Sequence, residues 1–207
     1  MRQGIFPGEL KADATVGGCI DIFENVWPNP AETIAFVEQL CGDPDSGVHW
    51  SKASTIGQGQ LQNQRTNLDM CVSYLAETTG QQLMKDIHNQ MYFMLLAASL
   101  PYAKKYGLEE NLYHEDYNLL KYKSNQEYKA HYDGWSGIGR AISAICYLND
   151  NYEGGEIEFP TYKIKIKPEP GMLILFPSTF PYKHIAHPVK SGTKYALVTW
   201  IKDRPIN

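Results

Sequence analysis

The spacing of hydrophobic and polar positions changes about half-way along the chain. From about Thr79 to Leu100 the apolar residues Leu83, Ile87, Met91, Leu95 and Ala98 recur every three or four positions. That spacing predicts one long helix with a single buried stripe. Pro101 should end or kink it, and a short second helix to Tyr106 would stop at Gly107. An earlier helix is predicted after Asn29, with Asn29 as N-cap, Pro30 in the first turn and Glu32 as a capping-box acid. Ile34, Val37 and Leu40 give its buried face, and Gly42 its stop. Before it, Cys19 to Phe23 alternates like a short strand.

After Glu115 the period falls to two. About eight strands are predicted, at 116–123, 127–132, 140–148, 155–159, 162–166, 172–176, 182–187 and 194–202. Turn residues separate them, such as Lys123-Ser124-Asn125 and Ser191-Gly192. Closely spaced strands after a helical half predict an α+β, mostly β chain: a double-sheet jelly roll, or double-stranded β-helix, with the N-terminal helices packed on one sheet. Residues 1–18 read as an N-terminal arm and 19–207 as a single domain. Residues 42–68 lack periodicity and include Trp50 and Arg65. They read either as a lid over a site or as an inert surface loop.

Composition narrows the picture. A net charge of -4 argues against nucleic acid as the main partner. The cysteines Cys19, Cys41, Cys71 and Cys146 show no C-x-x-C spacing, so a zinc ribbon or thioredoxin motif is not expected. The chain opens on no signal-like apolar run, and no stretch approaches ~18 apolar residues. A cytoplasmic protein with free thiols and no membrane contact is expected.

The candidate chemistry lies in the strands. His131 and Asp133 stand two apart, so a strand would point both to one face. A second imidazole comes from Tyr182 to Val189, as His184 or His187. Two imidazoles and a carboxylate on one face of a metal make the facial triad of non-haem Fe(II) oxygenases. His131-x-Asp133 alone is a weak signal. His88, just off the long helical stripe, reads as structural.

Further residues recur in order: Tyr122; Tyr128-x-x-His131-x-Asp133; Cys146-Tyr147-Leu148-Asn149; Gly154-Gly155-Glu156-x-Glu158-Phe159; Gly171 to Ser178; and His184-x-x-x-Pro188-Val189-x-x-Gly192-x-Lys194, closing at Trp200. This series resembles the prolyl 4-hydroxylase-like branch of the Fe(II)/2-oxoglutarate-dependent dioxygenases over about residues 115–203. The resemblance implies His131, Asp133 and His184 as iron ligands, because the family's distal histidine stands four residues before the proline. Parity sets His187 on the other face of an unbroken strand. The resemblance also makes Lys194 the cation that anchors the distal carboxylate of 2-oxoglutarate, as in collagen-type prolyl hydroxylases. Tyr122 and Tyr147 are candidate hydroxyl partners for that carboxylate, and Thr199 a weaker one.

A three-residue hairpin at Ser191-Gly192-Thr193, or an equivalent bulge, would pair Lys194 with Lys190 and set it on the face of His184. Trp200 would then lie across from His184, as core filler or pocket wall. Arg140 and the Glu156/Glu158 pair read as scaffold, and Trp135 as cover or substrate contact. The implied reaction couples oxidative decarboxylation of 2-oxoglutarate by O2 to hydroxylation of a C–H bond, with ascorbate as a possible auxiliary. Proline in a peptide or protein is the implied substrate. The competing readings are the same chemistry on a free amino acid or small metabolite, a catalytically silent jelly-roll module, and a zinc hydrolase on a cupin-like barrel.

Overall fold

The computed structural model describes residues 8–53, 64–108, 112–135 and 137–202. Parts of the expected arm (1–7) and of the expected lid (54–63) lie outside these residues. The chain opens with β1 (Ala14–Val16) and β2 (Ile20–Phe23), paired antiparallel. The later part of the arm is thus an edge strand. Helix α1 (Pro30–Gly42) follows, with Val37 buried. Asn29 stands at its N-cap but makes no side-chain cap bond, which corrects the expectation. Its backbone is left-handed (φ 51°), and its carbonyl accepts the Thr33 amide at 3.1 Å instead.

Strands β3 (Ser51–Lys52) and β4 (Leu68–Cys71) come next, then α2 (Val72–Thr78) and α3 (Gln82–Tyr106). Helix α2 was not expected, because seven residues are too few for a helical period to show. Pro101 lies inside α3 rather than ending it, and Gly107 in the left-handed region closes it (φ 67°). Within the long stripe Met84, Ile87, Met91, Met94, Leu95 and Ala98 are buried.

The strand-rich half holds β5 (Tyr113–His114), β6 (Asn118–Tyr122), β7 (Tyr128–His131), β8 (Arg140–Tyr147), β9 (Glu153–Gly154), β10 (Ile157–Phe159), β11 (Ile164–Ile166), β12 (Leu173–Pro177), β13 (His184–Ala186), β14 (Val189–Ser191) and β15 (Lys194–Lys202). Each strand predicted beyond residue 115 has its counterpart here. The large sheet runs β1-β2-β12-β8-β15-β6-β4-β3, with β5 added beside β15. The small sheet runs β11-β10-β13-β7, and β14 pairs with β9 apart from both.

Alternation along the large sheet makes two cores. Ile142, Ala144 and Cys146 of β8, with Leu197 and Ile201 of β15, join the helices in the main apolar cluster. On the other face Tyr147 and Ala196 meet Ile157 and Phe159 of the small sheet. Two facing antiparallel sheets with helices on the far side of one make the expected jelly roll. Among the described residues no helix is long and apolar enough to cross a membrane.

Candidate active site

The predicted ligand trio meets between the sheets. Strands β7 and β13 are neighbours, and their register sets His184 opposite His131. Asp133 follows β7, and one ligand atom from each of the three residues lies within 4.8 Å of the others. His131 Nε2 is 3.4 Å from Asp133 Oδ1, and His184 Nε2 is 3.5 Å from Oδ2.

The surroundings fix which nitrogens face inward. Nδ1 of His131 lies 2.7 Å from the Lys129 carbonyl, and Nδ1 of His184 lies 3.3 Å from the Tyr182 carbonyl. A carbonyl only accepts, so each Nδ1 carries the proton and each Nε2 keeps its lone pair for the centre. The Tyr128 ring stacks on His131 at 3.5 Å, while Phe159 and Phe176 flank His184. Burial, with His131 nearby, pulls His184 down to about 4 against the attraction of Asp133, so its ring is neutral at pH 7.

Asp133 is held from several sides. Ser143 Oγ donates to Oδ2 at 2.7 Å and contacts Ser178 Oγ at 2.9 Å. The amides of Asp133 and Gly134 both donate to the Ser178 carbonyl. Burial pushes this carboxyl toward protonation, but His184, His131 and the Ser143 hydroxyl outweigh it and hold it below the usual carboxylate range. Two bare imidazole nitrogens and an ionised carboxylate suit a divalent first-row metal such as Fe(II).

Lys194 lines the same cavity, with Tyr122, Tyr147, Ser143 and Trp200. It gets there by a route other than the expected hairpin. Strand β14 pairs with β9, while β15 pairs with β6 and β8, so the chain leaves one ladder for another after Gly192. Lys194 therefore pairs with Tyr122, not Lys190. Alternation then puts Lys194, Ala196, Val198 and Trp200 on the cavity side. Trp200 lies opposite Ser143 rather than His184, and it walls the pocket.

Lys194 is 2% exposed, and its Nζ donates to the Gly155 carbonyl at 2.6 Å. The Tyr147 and Tyr122 rings lie 5.0 and 5.4 Å away. Burial lowers Lys194 to about 7, with Glu156 pulling the other way. Among the described residues no carboxylate comes within ion-pair distance of it. Thr199 is spent elsewhere, donating to the Glu115 carbonyl.

Other expectations resolve plainly. His187 bonds Glu158 at 2.6 Å, away from the trio. His88 packs on the Tyr117 ring. Trp135 is 46% exposed. Of the polar cavity residues, Ser143 was not foreseen, and Arg65 was named only within the segment read as a lid or an inert loop. Ser143 shares a strand face with Ile145 and Tyr147, a signal present in the predicted strand. Arg65 reaches the cavity because residues 64–66 lie along β7, through Lys129 N–H to Gln64 O at 2.9 Å and Thr66 N–H to Glu127 O at 3.1 Å. That pairing is non-local and leaves no trace in the sequence.

Comparison with known proteins agrees with this geometry. Residues 117–202 match the model of the 2OG-Fe(II) oxygenase superfamily. The similarity lies in the strand-rich part of the chain. The chain is 34% identical over 119 residues to "Probable prolyl 4-hydroxylase 9" of Arabidopsis thaliana, covering 44% of this chain and 41% of that protein. It is 29% identical over 121 residues to "Prolyl 4-hydroxylase 13" of the same plant, covering 44% of each. The match thus spans less than half the length of these relatives.

Solved structures extend the likeness in fold alone. A prolyl hydroxylase from Trichoplax adhaerens, in complex with a hypoxia inducible factor peptide fragment, has a TM-score of 0.69 at 18% identity. It covers 89% of this chain and 84% of its own. The 2OG complex of the viral collagen prolyl hydroxylase from Paramecium Bursaria Chlorella virus-1 has a TM-score of 0.60 at 22% identity, covering 90% and 97%.

Proposed function

We propose that this protein is an Fe(II)- and 2-oxoglutarate-dependent hydroxylase acting on proline in a peptide or protein. One observation carries the cosubstrate half of that reading: a buried ammonium that has no carboxylate partner among the described residues shares a cavity with three side chains able to hold a metal. A buried charge is costly unless paired. A small dicarboxylate able to reach both metal and Lys194 relieves that cost.

His131 Nε2, Asp133 and His184 Nε2 would hold the metal. When bound, Fe(II) supplies O2 activation coupled to oxidative decarboxylation of 2-oxoglutarate and hydroxylation of a C–H bond. The protein's own groups do the rest. Lys194 holds the distal carboxylate by charge, and Tyr122 and Tyr147 give it an aromatic collar with hydroxyls available to the same carboxylate. The Phe159, Phe176 and Tyr128 rings keep water from the imidazoles. None of these groups needs to move a proton during turnover.

Proline as the target rests on the prolyl 4-hydroxylase names of the relatives, so the reaction and its substrate need separate tests. Anaerobic titration with Fe(II) and 2-oxoglutarate should raise a weak visible charge-transfer band. His131→Ala or His184→Ala should abolish it, and a band that survives both would defeat the metal assignment. Turnover with O2 and ascorbate should favour proline-containing peptides over free proline. Equal turnover of the free amino acid would move the substrate to the small-metabolite reading.

A further inference from the structure

Arg140 begins β8 beneath the ligand loop and is 7% exposed. Its Nε and Nη2 donate to the two carboxylate oxygens of Glu115, at 2.9 and 2.6 Å. Its Nη1 donates to the backbone carbonyl of Asp133 at 3.1 Å. The flat face of the guanidinium lies 3.6 Å from the centroid of the Trp200 ring. Lys202 adds a second cation to Glu115 at 3.0 Å. The loop leaves little slack here: a Cβ on Gly134 would come 3.0 Å from the Arg140 carbonyl and 3.1 Å from Ser178 and Thr179.

We propose that Arg140, clamped by Glu115, is a positioning residue for the metal centre, fixing the carbonyl of Asp133 and the Trp200 wall of the cavity together. This rests on the reading of His131, Asp133 and His184 as metal ligands. Ser143 holds the side chain of Asp133, the Ser178 carbonyl holds its amide, and Arg140 completes the set by holding its carbonyl. The task suits a guanidinium alone. A planar fork can bind a carboxylate with one edge, reach a carbonyl with the remaining amine and stack on an aromatic face. A lysine ammonium keeps the charge opposite Glu115 but cannot meet all three partners.

The test uses Co(II) as probe, read by calorimetry and by its visible d–d bands. Arg140→Lys should weaken Co(II) binding about 10–100-fold, the usual effect of losing a partner of a metal ligand, and should shift the bands. Glu115→Gln, which loosens the clamp, should move both readouts in the same direction. Tyr102→Phe removes the hydrogen bond to the Cys19 carbonyl, and neither residue lines the cavity. It should lower the melting temperature while leaving Co(II) affinity and bands as in the parent. An Arg140→Lys protein with affinity within twofold of the parent and unmoved bands would overturn the proposal. If that variant does not fold, unchanged affinity and bands in Glu115→Gln overturn it instead. Failure of the parent itself to bind Co(II) would defeat the metal reading beneath it, a result separable from either of these.

Discussion

Lys194 is the residue whose environment makes the sharpest demand. Burial lowers it to about 7 from its ordinary 10.5, so in the cosubstrate-free protein much of it is neutral at pH 8.5. Binding a carboxylate there requires the ammonium, and hence uptake of a proton. The affinity for 2-oxoglutarate should therefore fall by up to about tenfold per pH unit above about 7. Calorimetry in buffers of different ionisation enthalpy should show uptake approaching one proton at pH 8.5 and little at pH 6; no uptake at pH 8.5 would refute the assignment. Stability carries the same displacement with a definite sign. The folded value lies below the unfolded one, so the unfolded chain binds more protons between about 7 and 10.5. The cost of burying this cation is full below about pH 7 and fades as pH rises through that window. Lys194→Met should flatten that part of the urea-midpoint profile and weaken 2-oxoglutarate binding at pH 6.5.

At the level of elements, what the sequence revealed and what it hid have separate causes. Strands with period two were legible because each faces a core on one side, as Ile142, Ala144 and Cys146 do in β8. Helix α3 was legible from its stripe, yet its passage through Pro101 was not, since tertiary contacts decide whether a proline ends a helix. Those contacts are visible here. Proline lacks the N–H that would bond the carbonyl four residues back, and that carbonyl, of Ala97, instead accepts the Leu10 amide at 2.8 Å. The helix's missing bond is thus used to dock the N-terminal segment. Pro101→Ala would offer Ala97 a helical donor in competition with Leu10. The variant should gain at most ~3 kcal/mol in stability, and amide exchange at Leu10 should speed up. Unchanged exchange at Leu10 would show that the carbonyl serves both donors equally. The path after Gly192 was hidden for a related reason: a two-residue step between ladders and a tight hairpin read alike in sequence, and only the partners β9 and β6 distinguish them.

The whole molecule divides its site between two sheets. His131 and His184 belong to adjacent strands of the small sheet, and Asp133 follows one of them. Lys194, Tyr122 and Tyr147 belong to the large sheet. These residues could be named as candidates from the chain, but their convergence depends on pairing between distant segments, which no local pattern contains. The division has a consequence for dynamics. On the proposed reading a metal ion would join groups on β7 and β13, and its link to the large sheet would run through Asp133, which Ser143 and Arg140 of β8 both bond. A dicarboxylate held by both that metal and Lys194 would span the gap between the sheets. Ligands that bind only the folded state stabilise it by RT ln(1 + [L]/Kd), about 2.7 kcal/mol at a hundredfold excess over Kd. The protection should appear where each ligand acts. Mn(II) alone should slow amide exchange in β7 and β13. Adding 2-oxoglutarate should extend protection to the start of β15, to Tyr122 on β6 and to the Gly154–Gly155 turn. Lys194→Met should keep the first response and lose the second. Protection that reached β15 with Mn(II) alone, or that persisted there in Lys194→Met, would mean that the cosubstrate does not bridge the sheets through this lysine.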